Sequence, residues 1–336
     1  MRVVIALDKF RGTASATEAV AAVGHACWEL GHDADEVPMS DGGEGLIDVL
    51  GGANRTSIVT GPLGAAVSAG WRLDHRTAVI EMAAASGLSL AGGAAGNDPM
   101  LASTVGTGEL IDRAFEQGAR SIIVGLGGSA TTDGGLGALG ALRSPSRIRS
   151  SDVRVACDVT TRFVDAAAVF APQKGASAAQ VAMLTARLEQ LASRYEADYG
   201  VDVTELAGAG AAGGLAGGLA ALGAQLVGGF DLVAEHVELD ERIAAADVVI
   251  TGEGHLDAQS LEGKVVGGVC ALAAGNGRPV LVIVGGADPE VAAELAARPG
   301  ISVVSLIDRY GEQRARTEPR WCIEHAATDA LADATG

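Results

Sequence analysis

The sequence predicts an α/β protein: a doubly wound parallel-sheet domain interrupted by an inserted mixed α/β domain. Three observations predict it. Continuous apolar runs stand near both ends of the chain, Val3-Val4-Ile5-Ala6-Leu7, Ala246-Asp247-Val248-Val249-Ile250-Thr251, Pro279-Val280-Leu281-Val282-Ile283-Val284 and Ile301-Ser302-Val303-Val304-Ser305-Leu306; such runs suit strands buried on both faces. Glycine-rich turns and helical patterns follow them, the grammar of βαβ units. The 48% apolar fraction is mostly Ala, Val and Leu with only 3% aromatics, a composition for helices packed closely on a parallel sheet. At 336 residues the chain buries a large core and should form about two domains.

Taken in order, the first strand turns at Asp8-Lys9-Phe10-Arg11-Gly12, and Ser15-Ala16-Thr17-Glu18 is a capping box opening a helix to about Leu30. A short strand near Glu36-Val37-Pro38-Met39, the loop Ser40-Asp41-Gly42-Gly43-Glu44-Gly45 and another helix follow. Late in the chain, a buried strand at 246–251 leads into a glycine-rich loop and a helix over 260–274. Together the ends make one Rossmann-like domain, residues 1–60 plus 230–336. The middle, 61–229, has shorter strands at 66–71 and 77–81 suited to hairpins, then Ile122-Ile123-Val124-Gly125-Leu126 and a glycine-dense loop. Residues 143–151, with Pro145 and three arginines, read as an exposed loop.

The net charge of −18 argues against nucleic acid or an anionic membrane as partner. It also means that an anionic substrate needs locally clustered cations. Four widely spaced cysteines, with no C-x-x-C, read as small buried hydrophobes in a reduced compartment. The chain starts as a strand and has no membrane-span run, so a cytoplasmic location is expected; a monomer or a homodimer is expected, the residues leaving both open.

Cations are written almost entirely as Arg, 21 against three Lys, and Lys9, Lys174 and Lys264 all lie in glycine-rich motifs. Glycine lets backbone amides approach a ligand, and lysine supplies a compact, flexible charge. In an open parallel sheet, ligands bind outside the carboxyl ends of the strands. That edge should carry Lys9, Arg11 and Lys264 against Asp8, Asp41, Glu44, Glu253 and Asp257, a set fitting a polyphosphate with a divalent metal. The loop Gly125-Leu126-Gly127-Gly128-Ser129-Ala130-Thr131-Thr132-Asp133-Gly134-Gly135 reads as a backbone cradle for an anion. His255 is the only histidine within a candidate site, and Asp158 begins a loop after the strand at 153–156. By contrast, Gly208-Ala209-Gly210-Ala211-Ala212-Gly213 fits G-x-G-x-x-G but lacks a good preceding buried strand; it reads as a helix start that allows close packing or backbone approach, not as a dinucleotide site.

These motifs, in this order, resemble the bacterial type I glycerate kinases. The resemblance runs through Asp8–Gly12, Pro38–Gly45, Ile80-Glu81-Met82-Ala83-Ala84-Ala85-Ser86-Gly87-Leu88, Ser103–Leu110, Gly125–Gly137, Ala156-Cys157-Asp158-Val159, Pro172–Ala176, Gly208–Leu215 and Ile250–Lys264, nearly the whole chain. It implies two α/β domains with the substrate in the cleft between them, ATP as phosphoryl donor with Mg²⁺, and D-glycerate as acceptor giving 2-phosphoglycerate. The chain departs from the family between Leu142 and Val153, where the family usually carries a longer stretch, and again after Asp158.

On this resemblance Asp8, Lys9, Asp257 and Lys264 are the expected catalytic residues. Arg11, Gly12, Gly127, Gly128, Ser129, Thr131, Asp133, Asp158, Gln173 and Lys174 are expected to bind substrate and phosphates. Asp41, Glu253 and Asp257 are expected to hold the metal. Asp8 and Asp257 are alternative proton acceptors for the attacking hydroxyl. Two other readings stay open here: a kinase for another small hydroxy acid, favoured by the shortened loops, and a non-catalytic nucleotide or anion sensor on the same fold.

Overall fold

The computed structural model describes residues 1–10 and 12–335, so the Arg11 expectation lies outside the described residues. The strands in chain order are β1 (Arg2–Leu7), β2 (Asp33–Glu36), β3 (Arg55–Thr60), β4 (Ala66–Asp74), β5 (Thr77–Glu81), β6 (Ser121–Gly125), β7 (Asp152–Ala156), β8 (Gln225–Val227), β9 (Val248–Leu256), β10 (Val280–Ala287) and β11 (Ile301–Ser305). The chain divides into two compact units, residues 1–41 with 229–336, and residues 42–228.

The first unit holds a five-stranded, all-parallel sheet in the order β11-β10-β9-β1-β2. From β1 the chain steps outward to β2, and from β9 it steps the other way to β10 and β11. The winding therefore reverses between β1 and β9, where a doubly wound sheet opens a crevice at its carboxyl edge. The inward faces of Val3, Ile5, Leu7, Ile250 and Ile283 pack against small residues, among them Ala19, Val23, Ala26, Cys322 and Ala326 of two helices. The first helix, Ala16–Glu29, opens on the expected capping box, Ser15 with Glu18.

The second unit holds a six-stranded sheet, β3-β4-β5-β6-β7-β8. Its first three strands are antiparallel neighbours and the last four run parallel. Trp71, Ile80, Leu110, Ile122, Val124, Val155 and Leu188 build its core.

Several elements differ from the sequence reading. Strand β3 pairs with β4 from Arg55↔Trp71 to Thr60↔Ala66, which places 42–60 in the second unit and takes Glu44 with it. The stretch 252–256, expected as a glycine-rich loop, continues β9 because its backbone pairs with β10 as far as Ala287↔Leu256. The strand expected at 36–39 is formally Asp33–Glu36, but Val37 and Met39 still donate to Ile5 and Leu7 carbonyls at 2.9 Å. Residues 146–150 form a short helix that buries Ile148, with Arg147 over the Phe115 ring at 4.5 Å. Three of the four cysteines are buried and Cys157 is half-buried.

Candidate active site

In the first unit the residues singled out from sequence converge on the carboxyl ends of β1 and β9. Asp8 follows the last residue of β1, and its N–H extends the ladder to the Gly252 carbonyl at 2.9 Å. Phe10, 1% exposed, anchors the following turn in the core, and Gly12 closes it at φ +79°. Lys9 is thereby held beside two carboxylates, its Nζ 3.2 Å from Asp41 Oδ1 and 3.7 Å from Asp8 Oδ1. Glu253 lies inside β9. Asp257 caps the short 3-10 turn Ala258–Leu261, its Oδ1 accepting from Ser260 N at 3.1 Å and Ser260 Oγ at 3.2 Å. Lys264 stands at the residue before the helix Val265–Gly275, with no side-chain capping bond, and donates to Gln259 Oε1 at 3.4 Å.

Burial dominates the electrostatics here. It pushes Asp8 up to about 6, against the opposing pull of Lys9, while Asp41 adds to the rise. It pushes Glu253 up to about 7, with the charges of Asp8 and Asp257 adding and the Ser260 hydroxyl and Lys264 opposing. A carboxyl with a pKa near neutrality can exchange a proton at physiological pH. Among the described residues, Glu253 Oε1 is buried with no hydrogen-bond partner. Four carboxylates around two ammonium groups, one with an orphaned oxygen, form a hard-oxygen donor set that fits Mg²⁺. His255 is exposed and pairs with Asp288 at 3.1 Å, away from this group's hydrogen bonds.

The second unit gathers the glycine-rich loop and Lys174. Glycine is required where the loop runs against backbone: a Cβ on Gly127 would meet Glu44 N at 2.8 Å, and one on Gly125 would meet the Gly42 carbonyl at 2.8 Å. Gly128 turns at φ +62° and is exposed. Asp133, expected as a ligand-binding residue, is 8% exposed, and its carboxylate is engaged within the protein. Its carboxylate accepts from Thr104 N (2.9 Å), Thr104 Oγ1 (2.8 Å), Ser103 Oγ (3.4 Å), Gly135 N (3.1 Å) and Gly137 N (3.2 Å). It pins the loop from within. Lys174, 3% exposed, is also turned inward, donating to Ser129 Oγ at 2.8 Å and the Thr131 carbonyl at 2.7 Å. Thr131 is buried with its hydroxyl toward the Ala212 carbonyl at 3.5 Å. Ser129 and Asp158 are half-buried and Gln173 is exposed.

The sequence reading gave no role to Glu81. Its Oε1 accepts from Gly45 N at 3.1 Å and Ile47 N at 2.8 Å, fixing the 42–47 segment, and burial raises its pKa. The signal was available: Glu81 is the one charge ending the apolar strand Thr77–Glu81.

The glycerate kinase family profile matches residues 3–145 and 143–333. The chain belongs to the glycerate kinase family. The two matches meet at 143–145, within the shortened stretch 142–153. The glycerate 2-kinase of Escherichia coli is 40% identical over 331 residues, covering 87% of each chain. The glycerate kinase of Haemophilus influenzae is 40% identical over 325 residues, covering 85% of this chain and 86% of its own. A crystal structure described as a putative glycerate kinase 2 from Salmonella typhimurium superimposes with a TM-score of 0.82 at 34% identity, with full coverage of both chains. As a member of this family the chain is an enzyme, a kinase. No helix among the described residues is long and apolar enough to cross a membrane.

Proposed function

We propose that this kinase phosphorylates D-glycerate with ATP, giving 2-phosphoglycerate and ADP. The observation that carries the reading is the group at the β1/β9 switch point, where Lys9 and Lys264 stand among Asp8, Asp41, Glu253 and Asp257. Phosphoryl transfer passes through a loose transition state that asks for positioning and charge neutralisation rather than covalent catalysis. Lys9 and Lys264 supply the mobile cations for phosphoryl oxygens. Asp8 is assigned as proton acceptor for the attacking hydroxyl because burial raises its pKa to about 6; each of Asp8 and Asp257 has one oxygen engaged, by Lys9 N and by Ser260 respectively. Asp41 and Glu253 would hold Mg²⁺, with Asp257 offering its remaining oxygen; when bound, the ion neutralises phosphate charge. The E. coli relative's name supports the 2-position as the site of transfer.

The test is ADP release from ATP and Mg²⁺ with D-glycerate, L-glycerate and related hydroxy acids, followed by identification of the phosphorylated carbon. Turnover confined to D-glycerate with 2-phosphoglycerate as product supports the proposal. Preference for another acid would move specificity away from glycerate, and no turnover with any acid would defeat the reading.

A further inference from the structure

Lys174 presents a physical problem. A lysine 3% exposed has lost nearly all its hydration, and among the described residues the carboxylate that favours its charge is Asp133, which forms no ion pair with it. Burial accordingly pulls its pKa down to about 7. Such a group is costly to keep unless the site uses it.

The hydrogen-bond directions indicate the use. An ammonium has no lone pair, so toward Ser129 it can only donate. Ser129 Oγ, 2.8 Å away, must then accept, and its own hydroxyl hydrogen is left for another acceptor. The neighbouring backbone is fixed on both sides: the Gly128 carbonyl accepts from Leu88 N at 2.8 Å and Ala130 N donates to the Ser86 carbonyl at 3.0 Å. Ser129 is half-buried beside the exposed Gly128. Its hydroxyl is therefore a donor on a rigid loop, with its direction set from behind.

We propose that Lys174 is a positioning residue whose buried ammonium orients the Ser129 hydroxyl to donate to an oxyanion bound on the glycine-rich loop, without touching that ligand itself. This rests on the glycerate kinase reading, which offers two oxyanions, the acceptor's carboxylate and the phosphates of ATP. Loss of the proton from Lys174 reverses the arrangement. A neutral amine accepts from the Ser129 hydroxyl, which then turns a lone pair toward the anion. Asp133 is the titratable group facing Lys174; Ser129, Thr131 and Asn97, the other side chains of this cluster, are neutral. Anion binding should therefore weaken as pH rises above about 7.

The experiment is steady-state kinetics in D-glycerate and in ATP from pH 6 to 9, for wild type, Lys174→Met, Ser129→Ala and the double variant, each checked for folding by circular dichroism. Both single variants should raise KM for the same substrate by about 10- to 100-fold, the worth of a hydrogen bond to a charged group, with kcat less affected. The double variant should be no worse than the worse single, since both remove one unit. The alkaline fall in kcat/KM should vanish in Lys174→Met. An effect on KM for glycerate assigns the carboxylate, and one on KM for ATP assigns the phosphates. Multiplicative losses in the double variant would overturn the proposal by showing that Lys174 contacts the ligand directly. So would a Ser129→Ala protein with wild-type kinetics. Should Lys174→Met fail to fold, Ser129→Thr, which keeps the hydroxyl, must restore what Ser129→Ala loses. If the wild type turns over no acid, the kinase reading fails separately, and calorimetric titration with ATP and with D-glycerate decides: weaker binding of either by Ser129→Ala supports the oriented hydroxyl, and equal binding of both overturns it.

Discussion

Asp8 donates its backbone N–H to the Gly252 carbonyl at 2.9 Å, which sets the Asp8 and Glu253 carboxyls on adjacent parallel strands at one sheet edge. Burial raises both, to about 6 and about 7, and the charge on Asp8 adds to the rise at Glu253. The ordinary values are 3.8 and 4.5, so between pH 4 and 7 the unfolded chain has released protons that the native state still binds. Stability from these two groups is therefore full below pH 4 and declines as pH rises to 7. Glu253→Gln should remove part of that decline and raise Tm at pH 8 by a few degrees, as relief of site strain commonly does. Thermal unfolding of both proteins at pH 5 and pH 8 checks this; equal Tm values at pH 8 would refute it.

The proton-acceptor role proposed for Asp8 predicts the acid side of the rate profile. As pH falls through about 6, Asp8 gains a proton and kcat should drop with it. Asp8→Asn should lose about 10²- to 10⁴-fold in kcat, the usual worth of a general base, while remaining folded. A variant that keeps its rate, or a wild-type profile flat from pH 5 to 7, would remove Asp8 from that role.

Lys9 and Lys264 predict a second kinetic signature. Both ammonium groups neighbour carboxylates, and both oppose the rise of the Asp8 pKa. Lys9→Met and Lys264→Met should each lower kcat/KM for ATP by about 10²-fold or more, since each removes a cation from developing phosphoryl charge. Each should also move the acid limb upward in pH. A rate loss with no movement of that limb would separate the lysines from Asp8.

Much of this was legible in the sequence, for physical reasons that can be named. The first sheet announces itself because Val3 to Leu7 and Val280 to Val284 are buried on both faces and so are almost uniformly apolar. The edge cluster was legible because a topological rule places the ends of such strands together. What escaped was pairing that composition does not encode. Gly252 to Leu256 looks like a loop by its glycines and is a strand because β10 is there to pair with it. Asp133 is expected as a binding residue on the resemblance alone; its five acceptor bonds to Ser103, Thr104, Gly135 and Gly137 come from segments some 30 residues away or from its own turn. The inward turn of Lys174 depends on Thr131 and Ser129, more than 40 residues distant.

The saturated carboxylate of Asp133 carries a stability prediction. Asp133→Asn is nearly isosteric, but its amide hydrogens would confront N–H and O–H donors at Thr104, Gly135 or Gly137. The loss should be about 2–4 kcal/mol, for buried donors left without acceptors and a broken network. Urea unfolding measures it, and a loss below about 1 kcal/mol would show that the loop does not depend on this carboxylate.

The adjacent pair Ala212 and Gly213 separates backbone strain from steric exclusion. Both adopt left-handed backbone, φ +52° and +68°, inside the kinked start of the helix Ala211–Ala221. A Cβ on Gly213 would lie 2.0 Å from the Thr131 carbonyl oxygen, the same oxygen that accepts from Lys174. Gly213→Ala cannot be absorbed without moving that carbonyl, so it should cost about 2–4 kcal/mol and raise KM as Lys174→Met does. Ala212→Gly relieves about 1–2 kcal/mol of left-handed strain and gives back roughly 0.5–1 kcal/mol through the freer unfolded chain. It should therefore be neutral to slightly stabilising, with unchanged kinetics. If the two variants were equally damaging, the kink would need its present side chains rather than the space around Thr131.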